Sequence, residues 1–405
     1  MSSRLKYFVV SSSTLLTLLL LIGSVLGQGA SSDDTYKHIG VFTDVVSRIK
    51  TEYVEEPDMK SVTLGALNGM LEAIDPFASY LNADQYKDYL KNKDAKRAEV
   101  GLILSKKFGY VGVVGVVPGS PAAKAGFTTG DMIESIKEVA TRDMPLAYAD
   151  LLLRGEPGSV VELSVVRVQK PEPTTVKLTR ANLALPPVEN AMLPGQVAYI
   201  KPGALSSAKV KETAAEIQKV QKDGAQKLII DLRNTAVGEP EDGIALANLF
   251  LNKGRITYLQ GQRFPRQNFD ADASKSITNL PVVVLTNRGT AGGSEIAAAA
   301  LMDNKRAELV GEPTYGDASL RRAITMEDGS AIILSVAKYY TPDGKAIQDN
   351  RVTPKNQVLQ AEPLPEFDDN GEPLPETREQ QPQQQKKLEE DPAVKKALDL
   401  LGVKG

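Results

Sequence analysis

Ser294 and Glu295 stand at the head of an Ala-rich helical run, Ile296 to Met302, directly behind a turn that carries Gly289, Thr290, Gly292 and Gly293. Val282 to Leu285, apolar and largely β-branched, reads as a buried strand leading into that turn. A strand, a tight glycine-bearing turn and a helix are a common way to present a nucleophile. The helix amino terminus supplies free N–H groups and a positive dipole end, which suit a developing oxyanion. Composition narrows the base. The chain has no cysteine and one histidine, His38, which sits in a helical run near the start. Thiol chemistry, disulfides and thiolate metal sites are excluded, and a Ser-His-Asp triad or a zinc site lacks its residues. A hydrolase built from this chain needs Lys, Asp, Glu or a terminus as its base, and a Ser-Lys dyad is the natural candidate. No cofactor and no metal are expected.

The same stretch resembles the carboxy-terminal processing peptidases, the tail-specific proteases of serine peptidase family forty-one. Their nucleophile motif runs N-x-G-(S/T)-A-S-A-S-E-I, and G-E-x-T-(F/Y)-G-K-G follows after a helix. Asn287, Gly289, Thr290, Ala291, Ser294, Glu295 and Ile296 match, as do Asp303 to Arg306 and then Gly311, Glu312, Thr314, Tyr315 and Gly316. The resemblance puts the nucleophilic serine at Gly292, the general-base lysine at Asp317 and the glutamine that orients it at Arg321. The frame matches and the three chemical positions do not. A further departure lies in the family's D-L-R-x-N-x-G-G run, whose glycine N–H groups help form the oxyanion hole. Here it reads Asp231 to Gly238, with the asparagine at Asn234 and Val237 in place of the first glycine. Valine does not readily take the φ > 0 conformations open to glycine, so an altered cradle at Val237 and Gly238 is expected.

Glycine has no side chain to attack a carbonyl, arginine does not deprotonate, and Asp317 lacks the reach of lysine. Ser294 is an alternative nucleophile two residues beyond Gly292, and its structural reading is a helix N-cap beside Glu295. Thr290 is a second alternative. Lys305, Lys338 and Lys345 are candidate bases, and Asp317 with Glu295 or Glu312 could form a carboxylate pair.

Residues 118 to 133 fit P-G-S-P-A-x-x-A-G-x-x-x-G-D-x-I, the signature of bacterial PDZ domains, at every fixed position. Such a domain binds a peptide carboxy terminus by strand addition, with backbone N–H groups on the carboxylate. The resemblance places the carboxylate loop at Val100, Gly101 and Leu102, the augmented edge at Ile103 and Leu104, and the side-chain pocket along a helix from Ala147 to Leu153. A PDZ fold kept for architecture alone is the competing reading.

The elements that must hold these residues follow from periodicity. Strand and helix patterns alternate from Val197 to Val310, which implies an α/β core with a mainly parallel sheet and helices. Ile324 to Lys338 reads as a hairpin turning at Glu327-Asp328-Gly329. Ahead of the PDZ domain, helical spacing at Ile39, Phe42, Val46 and Ile49, and again at Leu64, Leu67, Leu71 and Ile74, describes a helical arm for packing or dimerisation. Asn82 to Gln85 has the spacing of a capping box. The expected fold is therefore an α/β core with an inserted, mostly β PDZ domain and a helical amino-terminal arm. The expected boundaries are 1–30 for a signal segment, 33–96 for the arm, 97–181 for the PDZ domain, 186–360 for the peptidase-like core, and 361–405 for a disordered linker and a short helix, Ala393 to Leu401.

Arg4 and Lys6 precede an apolar run from Tyr7 to Leu26, with Gly27, Gly29 and Ala30 beyond. That pattern reads as an export signal, either cleaved or kept as a membrane anchor, and places the folded part in the periplasm or cell envelope. The net charge of −3 argues against a nucleic-acid partner. The expected partners are protein or peptide carboxy-terminal tails, with homo- or hetero-oligomers left open. Three functions remain: a non-catalytic tail binder, an endopeptidase with a relocated nucleophile, and a structural envelope protein whose groove is empty.

Overall fold

A computed structural model describes residues 32–93, 97–107, 109–142, 144–167, 170–359 and 387–403. The expected signal segment and the Pro- and Gln-rich linker lie outside these residues. The described residues fall into two compact units, one ending at Ala66 and one running from Leu67 to Gly405.

The first unit carries helix α1 (Ser32–Glu52) and the start of α2 (Met59–Ile74). In the second unit Asp75-Pro76 ends α2. Residues 79–81 differ from the helical expectation: they form a short strand, β1 (Ser79–Leu81), paired antiparallel with a strand more than two hundred residues on. The capping box is present at helix α3 (Ala83–Asn92), where Asn82 accepts from Gln85 N–H and Gln85 accepts from Asn82 N–H.

The PDZ fold comprises β2 (Leu102–Lys107), β3 (Tyr110–Val116), the short helix α4 (Pro121–Lys124), β4 (Met132–Ile136), β5 (Val139–Ala140), helix α5 (Leu146–Leu153), β6 (Val160–Arg167) and β7 (Lys170–Thr179). Its sheet runs β2-β3-β4-β6-β7, with β5 against β4 and every pairing antiparallel. β2 is therefore an edge strand, as the tail-binding reading requires. Ser120 caps α4 with proline at the first helical position.

The core begins with β8 (Glu189–Leu193) and β9 (Val197–Lys201), followed by α6 (Ser207–Lys222), β10 (Lys227–Asp231) and α7 (Pro240–Asn248). A hairpin, β11 (Arg255–Gly261) and β12 (Phe264–Asp270), precedes β13 (Val282–Thr286), helix α8 (Gly293–Asp303) and β14 (Ala307–Gly311). Then come β15 (Ser319–Thr325), β16 (Ala331–Tyr340), α9 (Ile347–Asn350), β17 (Asn356–Gln357) and α10 (Pro392–Leu400). The central sheet runs β17-β14-β13-β10-β9-β8 and is parallel except at β8. The centres of its middle strands, Leu228 to Ile230 and Val282 to Leu285, are apolar because both faces are covered. Leu228 and Ile230 face the cluster built with α6, α7 and α8, while Ile229 faces the one built with α10. A second, antiparallel sheet runs β1-β16-β11-β12, with β15 also on β16.

Candidate peptidase-like site and tail-binding edge

The turn after β13 is fixed by side chains with few alternatives. Asn287 Oδ1 accepts from the N–H groups of Asn234 and Gly289, and Asn287 Nδ2 donates to Asn234 Oδ1 at 2.9 Å. Thr290 is fully buried, accepts from Asn287 N–H and donates to the Leu232 carbonyl at 2.8 Å. Its hydroxyl is committed to structure, which removes Thr290 as an alternative nucleophile. The turn leads to Gly292, the residue that caps α8, with φ +64° and ψ −127°. Such backbone is costly for any residue with a Cβ and is found where a fold forces a side chain outward from a sharp strand-to-helix bend. A Cβ built on Gly292 would meet only the carbonyl oxygens of Gly238 at 3.5 Å and Asp317 at 3.8 Å, ordinary contact distances. The elbow thus has room for a side chain that this chain does not supply.

The N-cap expected at Ser294 is a correction. Gly292 is the cap, and Ser294 lies one position inside the helix, 1% exposed, with an Oγ that has no hydrogen-bond partner. The capping task falls to Glu295, which accepts from Gly292 N–H at 3.1 Å. Glu295 is also the centre of the site, a role the sequence reading missed. It is fully buried and accepts from the Thr314 hydroxyl, from Gly316 N–H at 2.8 Å and from Asp317 N–H at 2.7 Å. It therefore ties the elbow to the loop that carries the base position. Burial pushes its carboxyl up to about 7, against the pull of those four donors. The signal in the sequence was an acid three residues after a glycine cap, where a helix start wants an acceptor.

Asp317 and Arg321 form an ion pair, and a bulge between Leu320 and Arg321 in β15 helps bring them together. The base position and the orienting position thus remain partners, with the cation moved to the orienting side. The Arg321 guanidinium also lies 4.0 Å above the Phe77 ring, which meets Tyr315 edge-on at 6.1 Å. Tyr315 is hydrogen-bonded to Ser105 of β2, so the PDZ edge and the peptidase-like loop are in contact.

Lys305 follows the far end of α8, about 16 Å from Gly292 at 1.5 Å per residue. Lys345 is exposed beyond β16, and Lys338 stands across from Ser319 on β16. On the oxyanion side, Val237 keeps a negative φ and its carbonyl accepts from Leu205 N–H at 2.7 Å, whereas Gly238 has φ +137°. Apart from the residues flanking Gly292, the atom nearest its vacant Cβ position is the Gly238 carbonyl oxygen, an acceptor.

In the PDZ fold, Gly101 has φ +84° and lies so close to Ser120 that no Cβ fits. The Val100 and Gly101 carbonyls accept from Ala122 N–H and Val117 N–H. This pins the loop ahead of β2. Leu102, Ile103 and Leu104 then run along the outer edge of the sheet, with α5 packed beside them.

Comparison with known proteins agrees with this geometry. The profile of Peptidase family S41 matches residues 196–358, and a PDZ domain profile matches 112–167. The carboxy-terminal processing protease CtpA of Bacillus subtilis is 30% identical over 363 residues, covering 88% of this chain and 77% of that protein. The carboxyl-terminal-processing protease of Synechocystis is 32% identical over 336 residues, covering 81% and 77%. Among solved structures, the photosystem II D1 C-terminal processing protease superposes with a TM-score of 0.64 at 28% identity, covering 78% of this chain and 86% of that one. The chain belongs to peptidase family S41, in its carboxy-terminal processing branch with a PDZ domain.

Proposed function

We propose that this chain is an exported, non-catalytic member of its family that holds protein carboxy-terminal tails on its PDZ edge and acts as an adaptor, a scaffold or an inactive partner in a hetero-oligomer. One observation carries the reading: the residue at the elbow is Gly292, and no nucleophilic side chain stands there. Two others support it. The carboxylate at the base position is held by Arg321, and the Gly238 turn presents its carbonyl oxygen to the elbow. The charged start and apolar run from Tyr7 to Leu26 support export to the cell envelope.

A second reading rests on the unpartnered Ser294 hydroxyl, which could be a relocated nucleophile. Its burial argues against it, because a substrate carbonyl must reach the attacking oxygen. The two separate in one experiment. The purified chain and its Ser294→Ala variant are incubated with an unstructured reporter ending in apolar residues, and the reporter's mass is followed over hours. Intact reporter with measurable binding is the expected result. Cleavage that vanishes in Ser294→Ala would establish the relocated nucleophile instead.

A further inference from the structure

The outer edge of β2 is shorter than the strand. In an antiparallel sheet every second residue turns its N–H and C=O to the same side. The Gly101 carbonyl points inward, to Val117 N–H, so Gly101, Ile103 and Ser105 serve β3. Leu102, Leu104 and Lys106 turn outward. Leu102 and Leu104 have no backbone partner on that side among the described residues. Lys106 does: its N–H donates to the Pro76 carbonyl at 2.9 Å.

The Pro76 segment is held in place. Asp75, 3% exposed, accepts from Phe77 N–H at 3.0 Å, from Ser335 N–H of β16 at 3.1 Å and from the Gln348 side chain at 3.3 Å. Phe77 is 4% exposed and packs into the PDZ core. A peptide cannot displace this segment without breaking those bonds and uncovering the ring. Proline has no N–H, so the segment ends the edge rather than extending it.

A tail added antiparallel to β2, with its carboxylate at the Val100–Leu102 loop, sets its last residue against Leu102. The residue two before the last then lies against Leu104, and the residue four before the last against Lys106. The Pro76 carbonyl already occupies the place where that third residue's carbonyl would sit. We infer that this domain pairs with a tail at its last and third-last residues only, and that the tail leaves the sheet edge before its fifth-last residue. Pro76 is thereby a specificity-determining residue acting through its backbone. The inference rests on the tail-binding reading above.

The test uses the full chain and fluorescent peptides sharing one apolar carboxy terminus, so no variant has to fold. One set runs from three to eight residues. Another carries a single backbone N-methyl group at the third-last or the fifth-last residue. N-methylation at the third-last residue removes the bond to the Leu104 carbonyl, and at least about a fivefold weakening is expected. The same change at the fifth-last residue should alter affinity by less than about twofold, and affinity should level off at four residues. Equal losses at both positions would overturn the inference while leaving tail binding intact. Failure of every peptide to bind would remove the tail-binding reading and the inference with it.

Discussion

Gly292 and Glu295 hold the frame of the elbow, and the residue at its apex carries no side chain. The φ and ψ at Gly292 are those of a sharp elbow, and a side chain there would meet only two carbonyl oxygens at contact distance. Serine would therefore fit at a strain cost of about 1–3 kcal/mol. Gly292→Ser alone still lacks a base, because Asp317 is paired with Arg321. The triple change Gly292→Ser, Asp317→Lys, Arg321→Gln should cleave an apolar-tailed reporter at least about a hundredfold faster than Gly292→Ser, the usual worth of a positioned base. Equal rates would show that the Val237-Gly238 turn has also lost its function. Glu295 makes a pH prediction. Its carboxyl is raised from 4.5 to about 7 in the folded chain, so the folded state binds the extra proton between those values. The contribution is fully present below pH 4.5 and is lost as pH rises through about 7, a change of at most about 3 kcal/mol. Urea midpoints at pH 5 and pH 8 should differ in that direction, and Glu295→Gln should flatten the difference.

At the scale of elements, α7 and α8 cross where Gly243 faces Gly293, so closely that a Cβ on Gly243 would overlap the Gly293 carbonyl. Gly243→Ala should cost about 1–3 kcal/mol or more, read as a lower urea midpoint, because a helix axis must move and α8 carries the elbow. Helix α10 is tied down differently. Asp391 accepts from Ala393 N–H and Val394 N–H and pairs with Arg233 at 2.7 Å, while Arg233 also grips buried Asp231. Asp391→Ala should raise amide exchange in α10 before any other helix of the core. The β13–turn–α8 unit was legible in the sequence because Val282 to Leu285 and the Ala-rich run carry their own periods and the glycines mark the bend. The β11–β12 hairpin was not. β12 is largely exposed and polar, and β11 is ordered by pairing with β16 some eighty residues away. No local pattern reports that. β1 was missed for the same reason: three residues after a helix become a strand only because β16 offers an edge. The Glu295 network was hidden too, since its donors Thr314, Gly316 and Asp317 come close only once β14 has returned from α8.

At the scale of the molecule, the second compact unit takes in the PDZ fold, the peptidase-like fold and the carboxy-terminal helix. Phe77 is one of the side chains that link its parts. It is buried in the PDZ core, meets Tyr315 of the peptidase-like loop edge-on, and carries the Arg321 guanidinium on its face. Tyr315 in turn bonds Ser105 on β2. One ring thus joins the PDZ domain to Tyr315 and Arg321 of the peptidase-like fold. Arg321 clamps the Asp317 carboxylate and the face of the Phe77 ring together. Removing the ring should cost about 3–5 kcal/mol, drawn from the junction and the adjoining side of the PDZ core, and leave the interior of the peptidase-like fold untouched. The expected result is a single calorimetric transition for the parent chain and two for Phe77→Ala, with faster amide exchange on β2 and the 314–317 loop together. Arg321→Gln, which keeps the ring but drops the cation–π contact and the ion pair, should retain one transition at a slightly lower temperature. If Phe77→Ala unfolds in one step at an unchanged midpoint, the two folds are joined by other contacts instead, among them the Asp75 hydrogen bonds and the packing of Ala236 and Ala291 against the PDZ core.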